Sequence, residues 1–373
     1  MSDQKKFSIA RPSFKGNEKA YLLDTIESGW ISSIGPYIER FEQEFARYHG
    51  VKHAVATHNG TIALHLALAA AGIGPGDEVI VPDFTFIATA NSVRYCQATP
   101  ILTDIDPDDW NISPAAISEN ISSRTRAIVP VHLYGNPARI REIMAIARKH
   151  DLIVVEDCAE ALGAEYNQKK VGTFGDIGCF SFFGNKIITT GEGGMCITNR
   201  DDLAERMRIL RDHGMNREKK YWYDFPGFNY RMTNMQAAVG LAQLEQIESL
   251  LSERDQILSH YQYAFSGNQM IVTQDHHNQR NVNWMFTIRL KGITEPGRDD
   301  LMYKLKEKQI DSRPAFYPIH RMSFYQTGGF FRSIPENSIR ISSESLSLPT
   351  YIGLTREDID YIATRVNEVI HVV

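Results

Sequence analysis

The stretch VKHAVATHNGTIALHLALAAAGIGPGDEVIVP, residues 51–82, decides the fold class. It opens on the strand-like run VKHAVAT (51–57), turns through Asn59 and Gly60, and enters the helical segment TIALHLALAAAGI at Thr61. Gly72 and Gly74 stop that helix, because glycine adopts the left-handed cap conformation without steric cost. A second apolar run, DEVIVP (77–82), follows at once. Strand, helix and strand in one passage make a βαβ unit, whose strands lie parallel in one sheet with the helix on its face.

The alternation extends outward to about residue 200. TPILTDI (99–105), RAIVPVHLYG (126–135) and DLIVVEDCA (151–159) read as further strands, and Ala138 to His150 as a helix. After residue 175 the spacing tightens. CFSFF (179–183) and GGMCITN (193–199), joined through glycines and Lys186, read as antiparallel or mixed strands. A single helical stretch from Thr233 to about Phe265, apolar at Leu241, Leu244, Ile247 and Leu251, leads out of this region. Beyond it come a strand at VNWMFTIRL (282–290), a helix from Asp299 to Lys308, an extended FYPIH (316–320) and a terminal helix from Thr355. The expectation is an α/β protein, with a large, mostly parallel-sheet domain over residues 1–255 and a smaller α+β domain over 256–373.

Composition narrows the function. A net charge of −5 over 373 residues argues against a nucleic-acid or anionic-membrane partner, while leaving room for a small basic pocket. MSDQKKFSIARPSF at the N-terminus carries no signal-like apolar run, and the longest apolar run, Ala63 to Ile73, is too short to span a bilayer. A cytoplasmic protein is expected. The four cysteines, Cys96, Cys158, Cys179 and Cys196, are widely spaced without a CxxC pair, which speaks for reduced, buried thiols and against zinc. QDHHNQRN (274–281) reads as a loop with solvated histidines.

The chemistry centres on Lys186, alone among aromatics and glycines in SFFGNKIITTGEGGM (181–195). Desolvation or a nearby cation lowers an amine's pKa and leaves free amine to attack an aldehyde; the aldehyde expected here is pyridoxal phosphate. Asp157 closes the run LIVVED, at the strand end where open α/β sheets bind ligands. A carboxylate there can hold a pyridine nitrogen protonated. In HNGTIALHLAL (58–68) a strand turns through Gly60 into a helix at Thr61, and the free N–H groups of such a terminus bind phosphate. Ser181 can add a hydroxyl. Phe84 and Phe86 directly follow DEVIVP, so either ring can stack on a pyridine. Phosphate turn, stacking ring, acid and lysine occur in the order of the fold-type I pyridoxal phosphate enzymes.

The motifs NGTIALHLAL, VEDCAEALGA, GTFGDIGCFSFFGNK, TTGEGGM and GFNYRMTN also make the chain similar to the DegT class of sugar-nucleotide aminotransferases, from about Arg11 onward. The resemblance implies that Lys186 is the residue joined covalently to pyridoxal 5′-phosphate, which cycles through pyridoxamine phosphate. It implies Asp157 on the ring nitrogen, Phe86 stacked, and Gly60, Thr61 and Ser181 on the phosphate. Asn229 would reach the phosphate of a neighbouring subunit, making a homodimer with shared sites. Glu160 takes a cofactor-contact position where many relatives carry Gln or His. Lysine rather than histidine at 186 implies amination rather than dehydration, with L-glutamate as donor. SFFGNK, YWYDFPGFNYRMTN and SRPAFYPIH most resemble members that aminate C4 of GDP-4-keto-6-deoxy-D-mannose for O-antigen or other surface polysaccharide. Trp30, Arg313, Tyr317 and His320 would then face the substrate. A UDP- or dTDP-linked keto sugar, or a cofactor-binding regulator without turnover, are the competing expectations.

Overall fold

The structure, a computed structural model, describes residues 5–216, 218–277 and 279–370. Residues 1–4 of the N-terminal stretch and Asn278 of the 274–281 loop lie outside the described residues. Five strands alternate with helices through the first half of the chain: β1 (His53–Thr57), β2 (Glu78–Pro82), β3 (Thr99–Thr103), β4 (Thr125–Ile128) and β5 (Ile153–Asp157). A short hairpin of β6 (Glu165–Tyr166) and β7 (Lys169–Lys170) precedes β8 (Ile177–Ser181) and β9 (Gly194–Thr198). These form a seven-stranded sheet in the order β1-β9-β8-β5-β4-β2-β3. Only β9 runs against the rest, pairing antiparallel with both β1 and β8. The α/β class and the mostly parallel sheet expected from the sequence are therefore present.

Side-chain alternation divides the core. Val79 and Val81 of β2 face one side with Leu102, Val155 and the helix Gly60–Ala70, whereas Ile80 faces the other with Ile101, Ile128 and Val154. Both faces are apolar because helices cover both. Two helices that the sequence reading does not anticipate, Glu18–Glu27 and Pro36–His49, precede β1. The second carries Tyr37, Phe41, Phe45 and His49 at four-residue spacing, all buried, a legible helical stripe. Phe41 lies 5.3 Å from the Phe182 ring and 5.8 Å from that of Phe45.

Three expected elements differ in detail. The expected helix over 233–265 is two helices, Asn234–Leu244 and Ile247–Phe265, broken where Gln246 leaves helical geometry (φ −108°, ψ 8°). The second then crosses from one core to another: Leu250 and Leu251 pack in the first, Ile257, Tyr261 and Phe265 in the second. RAIVPVHLYG holds strand only to Ile128, since Pro130 has no N–H to donate to a ladder. FYPIH ends in a short 3₁₀ turn, Ile319–Arg321, because His320 is drawn onto Asp83.

The second core packs against a four-stranded antiparallel sheet of β10 (Ile271–Val272), β11 (Phe286–Leu290), β12 (Arg313–Pro314) and β13 (Ser345–Leu348), ordered β10-β11-β13-β12. The helices Glu295–Glu307 and Arg356–Ile370 supply Leu301, Leu305, Ile359, Ile362 and Val366 to it. Phe7, from the chain start, joins this core too. No helix among the described residues is long and apolar enough to cross a membrane. The expected solvated histidines are instead partnered: His276 with Asn281 at 3.1 Å and His277 with Asp109 at 3.2 Å.

Phe41 is fully buried, and a Cβ on Gly240 of the facing helix would stand 2.6 Å from its ring. Phe41→Ala is therefore expected to lose about 3–5 kcal/mol of stability, read as a lower denaturation midpoint at unchanged slope.

Candidate active site

Four parallel strands deliver the site's side chains from their carboxyl ends, where open sheets form their ligand crevices. Beyond β1, Asn59 caps the helix Gly60–Ala70, its side-chain oxygen accepting the Ile62 N–H at 2.9 Å. That leaves the N–H groups of Gly60 and Thr61 at the helix mouth, with no acidic residue in the first turn. Such a terminus favours an anion. Ser181, at the end of β8, lies so close that a Cβ on Gly60 would stand 2.7 Å from its Cβ. Glycine is required there by the close approach of two strand ends.

After β2 the chain separates the two candidate rings. Phe84 is buried in the core, whereas Phe86 stays 54 % exposed on the cleft wall. β5 then ends in two adjacent carboxylates on opposite faces. Glu156 points into the protein, where it accepts N–H groups from Gly172, Phe174 and Gly175 and faces His132 Nε2 at 3.1 Å. Burial pushes its carboxyl up, but the His132 partner and the backbone donors more than offset this and hold it below the usual range. His132 Nδ1 accepts the Ala138 N–H, so both ring nitrogens are engaged. In the cluster of His132, Glu156 and Cys158, the imidazole and the carboxylate are thus already engaged in hydrogen bonds. All four cysteines are buried and unpaired.

Asp157 points into the cleft. Its Oδ2 accepts the Thr89 hydroxyl at 2.8 Å and its Oδ1 the Ala159 N–H at 3.1 Å; burial raises its pKa against these two donors. The bonds orient the carboxylate and leave each oxygen a lone pair for a further donor. Glu160, three residues on, is buried, and its Oε2 accepts the Tyr134 N–H at 2.6 Å. Tyr134 sits in the left-handed region (φ 55°) to make that bond. Burial pushes the Glu160 carboxyl upward, opposed by Lys186.

Lys186 reaches the same cleft from the turn after β8, its N–H donating to the Phe183 carbonyl at 2.9 Å. Burial lowers its pKa, and Glu160 and Asp157 partly restore it. The cleft encloses about 400 Å³ and is lined by Gly60, Thr61, Phe86, Asp157, Glu160 and Ser181 around Lys186. A helix N-terminus beside a hydroxyl, a flat exposed ring, an oriented carboxylate and a desolvated amine fit the phosphate, ring and aldehyde of pyridoxal phosphate.

Of the expected substrate residues, Arg313 lines the cleft from β12. Tyr317 stands apart under the Arg298 guanidinium, and His320 is bound to Asp83 by both its backbone N–H and its ring. Trp30 is half exposed outside the cleft, its carbonyl accepting the Asn234 amide. Asn229 also lies outside its own chain's cleft, bonded to Arg231 at 3.1 Å. Sequence reasoning passed over Trp284, Phe316 and Glu192, which also line the cleft. Trp284 was visible only as one aromatic in a strand, with nothing local to tie it to Lys186.

The pattern of the DegT/DnrJ/EryC1/StrS aminotransferase family matches residues 12–367. The chain is 48 % identical to a GDP-perosamine synthase of Caulobacter vibrioides, covering 99 % of this chain and all of that one. It is 42 % identical to the GDP-perosamine synthase of Escherichia coli O157:H7, with 98 % of each covered. Among solved structures, Helicobacter pylori PseC, an aminotransferase involved in the biosynthesis of pseudoaminic acid, superimposes with a TM-score of 0.93 at 28 % identity over 99 % of this chain and all of that one.

The electrostatics make a pH prediction. Condensation of Lys186 with the aldehyde of pyridoxal phosphate would need the neutral amine, and Glu160 favours the charged one. In Glu160→Gln the pH midpoint for attachment to the cofactor-free protein is expected to fall, as followed by absorbance.

Proposed function

The chain belongs to the DegT/DnrJ/EryC1/StrS aminotransferase family, and from that premise we propose that it transfers the amino group of L-glutamate to C4 of GDP-4-keto-6-deoxy-D-mannose, forming GDP-perosamine. The observation that carries the reading is the isolated, desolvated Lys186 set between Asp157, Glu160 and the helix terminus at Gly60. Identities of 48 % and 42 % to two GDP-perosamine synthases along the full chain support the choice of sugar. The enzyme is a sugar aminotransferase and its cofactor is pyridoxal phosphate.

When bound, the cofactor accepts the amino group and serves as sink for the electrons freed at the reacting carbon. The chain's own residues do the rest. The N–H groups of Gly60 and Thr61 and the Ser181 hydroxyl would hold the phosphate. Phe86 would stack on the ring, and Asp157 would accept the N–H of the pyridine. Lys186 Nζ would take the Cα proton of glutamate in the first half-reaction and deliver a proton to C4 of the sugar in the second. Arg313, exposed at the cleft wall, suits the carboxylate of glutamate or the diphosphate of the sugar nucleotide. Release of 2-oxoglutarate before the sugar enters gives ping-pong kinetics.

Asn229 belongs, in this reading, to the site of a second subunit, so that a homodimer carries two shared sites. Its place outside its own cleft supports that assignment. The product would enter O-antigen or a related surface polysaccharide, made in the cytoplasm.

Incubation with L-glutamate and GDP-4-keto-6-deoxy-D-mannose is expected to yield an amino sugar nucleotide by mass spectrometry. Turnover only with a UDP- or dTDP-linked keto sugar would overturn the choice of substrate. Lys186→Ala and Asn229→Ala are each expected to be nearly inactive alone, and to regain activity when co-expressed and mixed, since one site of the mixed dimer is then intact. No recovery on mixing would count against shared sites.

A further inference from the structure

The Lys186 Nζ has no hydrogen-bond acceptor among the described residues. It lies instead 3.6 Å from the centroid of the Trp284 ring, well within the range at which an indole face attracts an ammonium, and indole is the strongest of the aromatic faces. Three contacts hold the residue. The ring Nε1 donates to the carbonyl of Asn185, the neighbour of the lysine, at 2.8 Å. The Tyr134 ring stacks against the indole within 17° at 6.3 Å and is stacked in turn on Phe316. The buried Arg254 donates Nη1 to the backbone carbonyls of both Asn283 and Trp284, at 3.1 and 3.2 Å. Arg254 has no carboxylate partner among the described residues, and burial lowers its pKa to about 10. A desolvated cation spent on two backbone carbonyls marks a position held at some energetic cost.

The lysine of such an enzyme is free of the cofactor for half of each cycle, and it is then that it moves protons. We propose that Trp284 is a positioning residue that seats the free Lys186 amine on its indole face, holding the Nζ beside the reacting carbon between departures from the cofactor. The indole also connects the lobes at this point: it enters from the segment before β11 and bonds to the turn after β8. The inference rests on the reading of Lys186 as the residue that joins the cofactor, and not on which sugar is aminated.

The charged and titratable groups around the seat are Asp157 and Glu160 from the end of β5, Glu192 from the turn before β9, Arg313 from β12, the Tyr134 phenol stacked on the indole, and the Arg254 guanidinium on the Trp284 carbonyl. Replacing the indole removes none of them. It removes an attraction that exists only for the ammonium, so the neutral amine becomes available at lower pH. Water entering a vacated space would act in the opposite direction, because hydration favours the charged form.

The test uses full-length, cofactor-free protein and pyridoxal phosphate itself. The amine condenses with the aldehyde, releasing water; borohydride then fixes the bond for peptide mass analysis at Lys186, and the yield is followed against pH. The midpoint is expected about one pH unit lower in Trp284→Leu than in the parent, with Trp284→Phe between them. Midpoints equal across the three, or raised in the variants, would overturn the proposal. Attachment undiminished in Lys186→Ala would instead defeat the reading on which it rests. Trp284→Phe guards against a Leu variant that fails to fold, and its rate of amine transfer is expected to fall without change in the KM for the nucleotide sugar.

Discussion

Everything in the site depends on the end of β5, where two consecutive carboxylates must be buried on opposite faces of one strand. Strand geometry alone forces the division, because successive side chains alternate. Glu156 receives three backbone N–H groups and His132, and so binds the loop Gly172–Gly175 to the underside of the sheet. Asp157 receives only two donors and keeps capacity for a ligand. One acid builds the floor from which β8 rises to Ser181 and Lys186; the other faces the cleft that this floor supports. A one-residue slip of β5 would exchange them and lose both.

The lone antiparallel strand matters for the same reason. β9 lies between β1 and β8, and its Gly194 passes so near Asn59 that a Cβ would stand 2.5 Å from the Asn59 carbonyl oxygen. The helix terminus at Gly60 is thereby pressed toward Ser181. A helix terminus and a hydroxyl brought together from two separate strand ends need such compression, and the glycines at 60 and 194 are where the sheet permits it.

The second core contributes by reaching in rather than by covering over. Helix Ile247–Phe265 is rooted in both cores; its Arg254 holds the carbonyls of Asn283 and Trp284, and the Trp284 indole bonds the turn that carries Lys186. Tyr134 joins the same assembly from the other side, bonding Glu160 through its N–H and stacking on Trp284 through its ring. The surroundings of the lysine are therefore drawn from distant parts of the chain.

By itself the sequence determined what local pattern can carry. The βαβ run at 51–82 declared a parallel sheet, and Asp157, Gly60 and Lys186 were marked by their places at strand ends and turns, because period and turn chemistry are properties of neighbours in the chain. The order of those motifs was enough to name the family. Tertiary structure alone decided which phenylalanine of Phe84 and Phe86 faces the cleft, that Trp284 underlies the lysine, and that His320 turns away to Asp83. It also broke the helix at Gln246 so that one element could serve two cores. These outcomes depend on packing between segments far apart in sequence, where the competition for burial and for hydrogen-bond partners is settled only once the chain has folded.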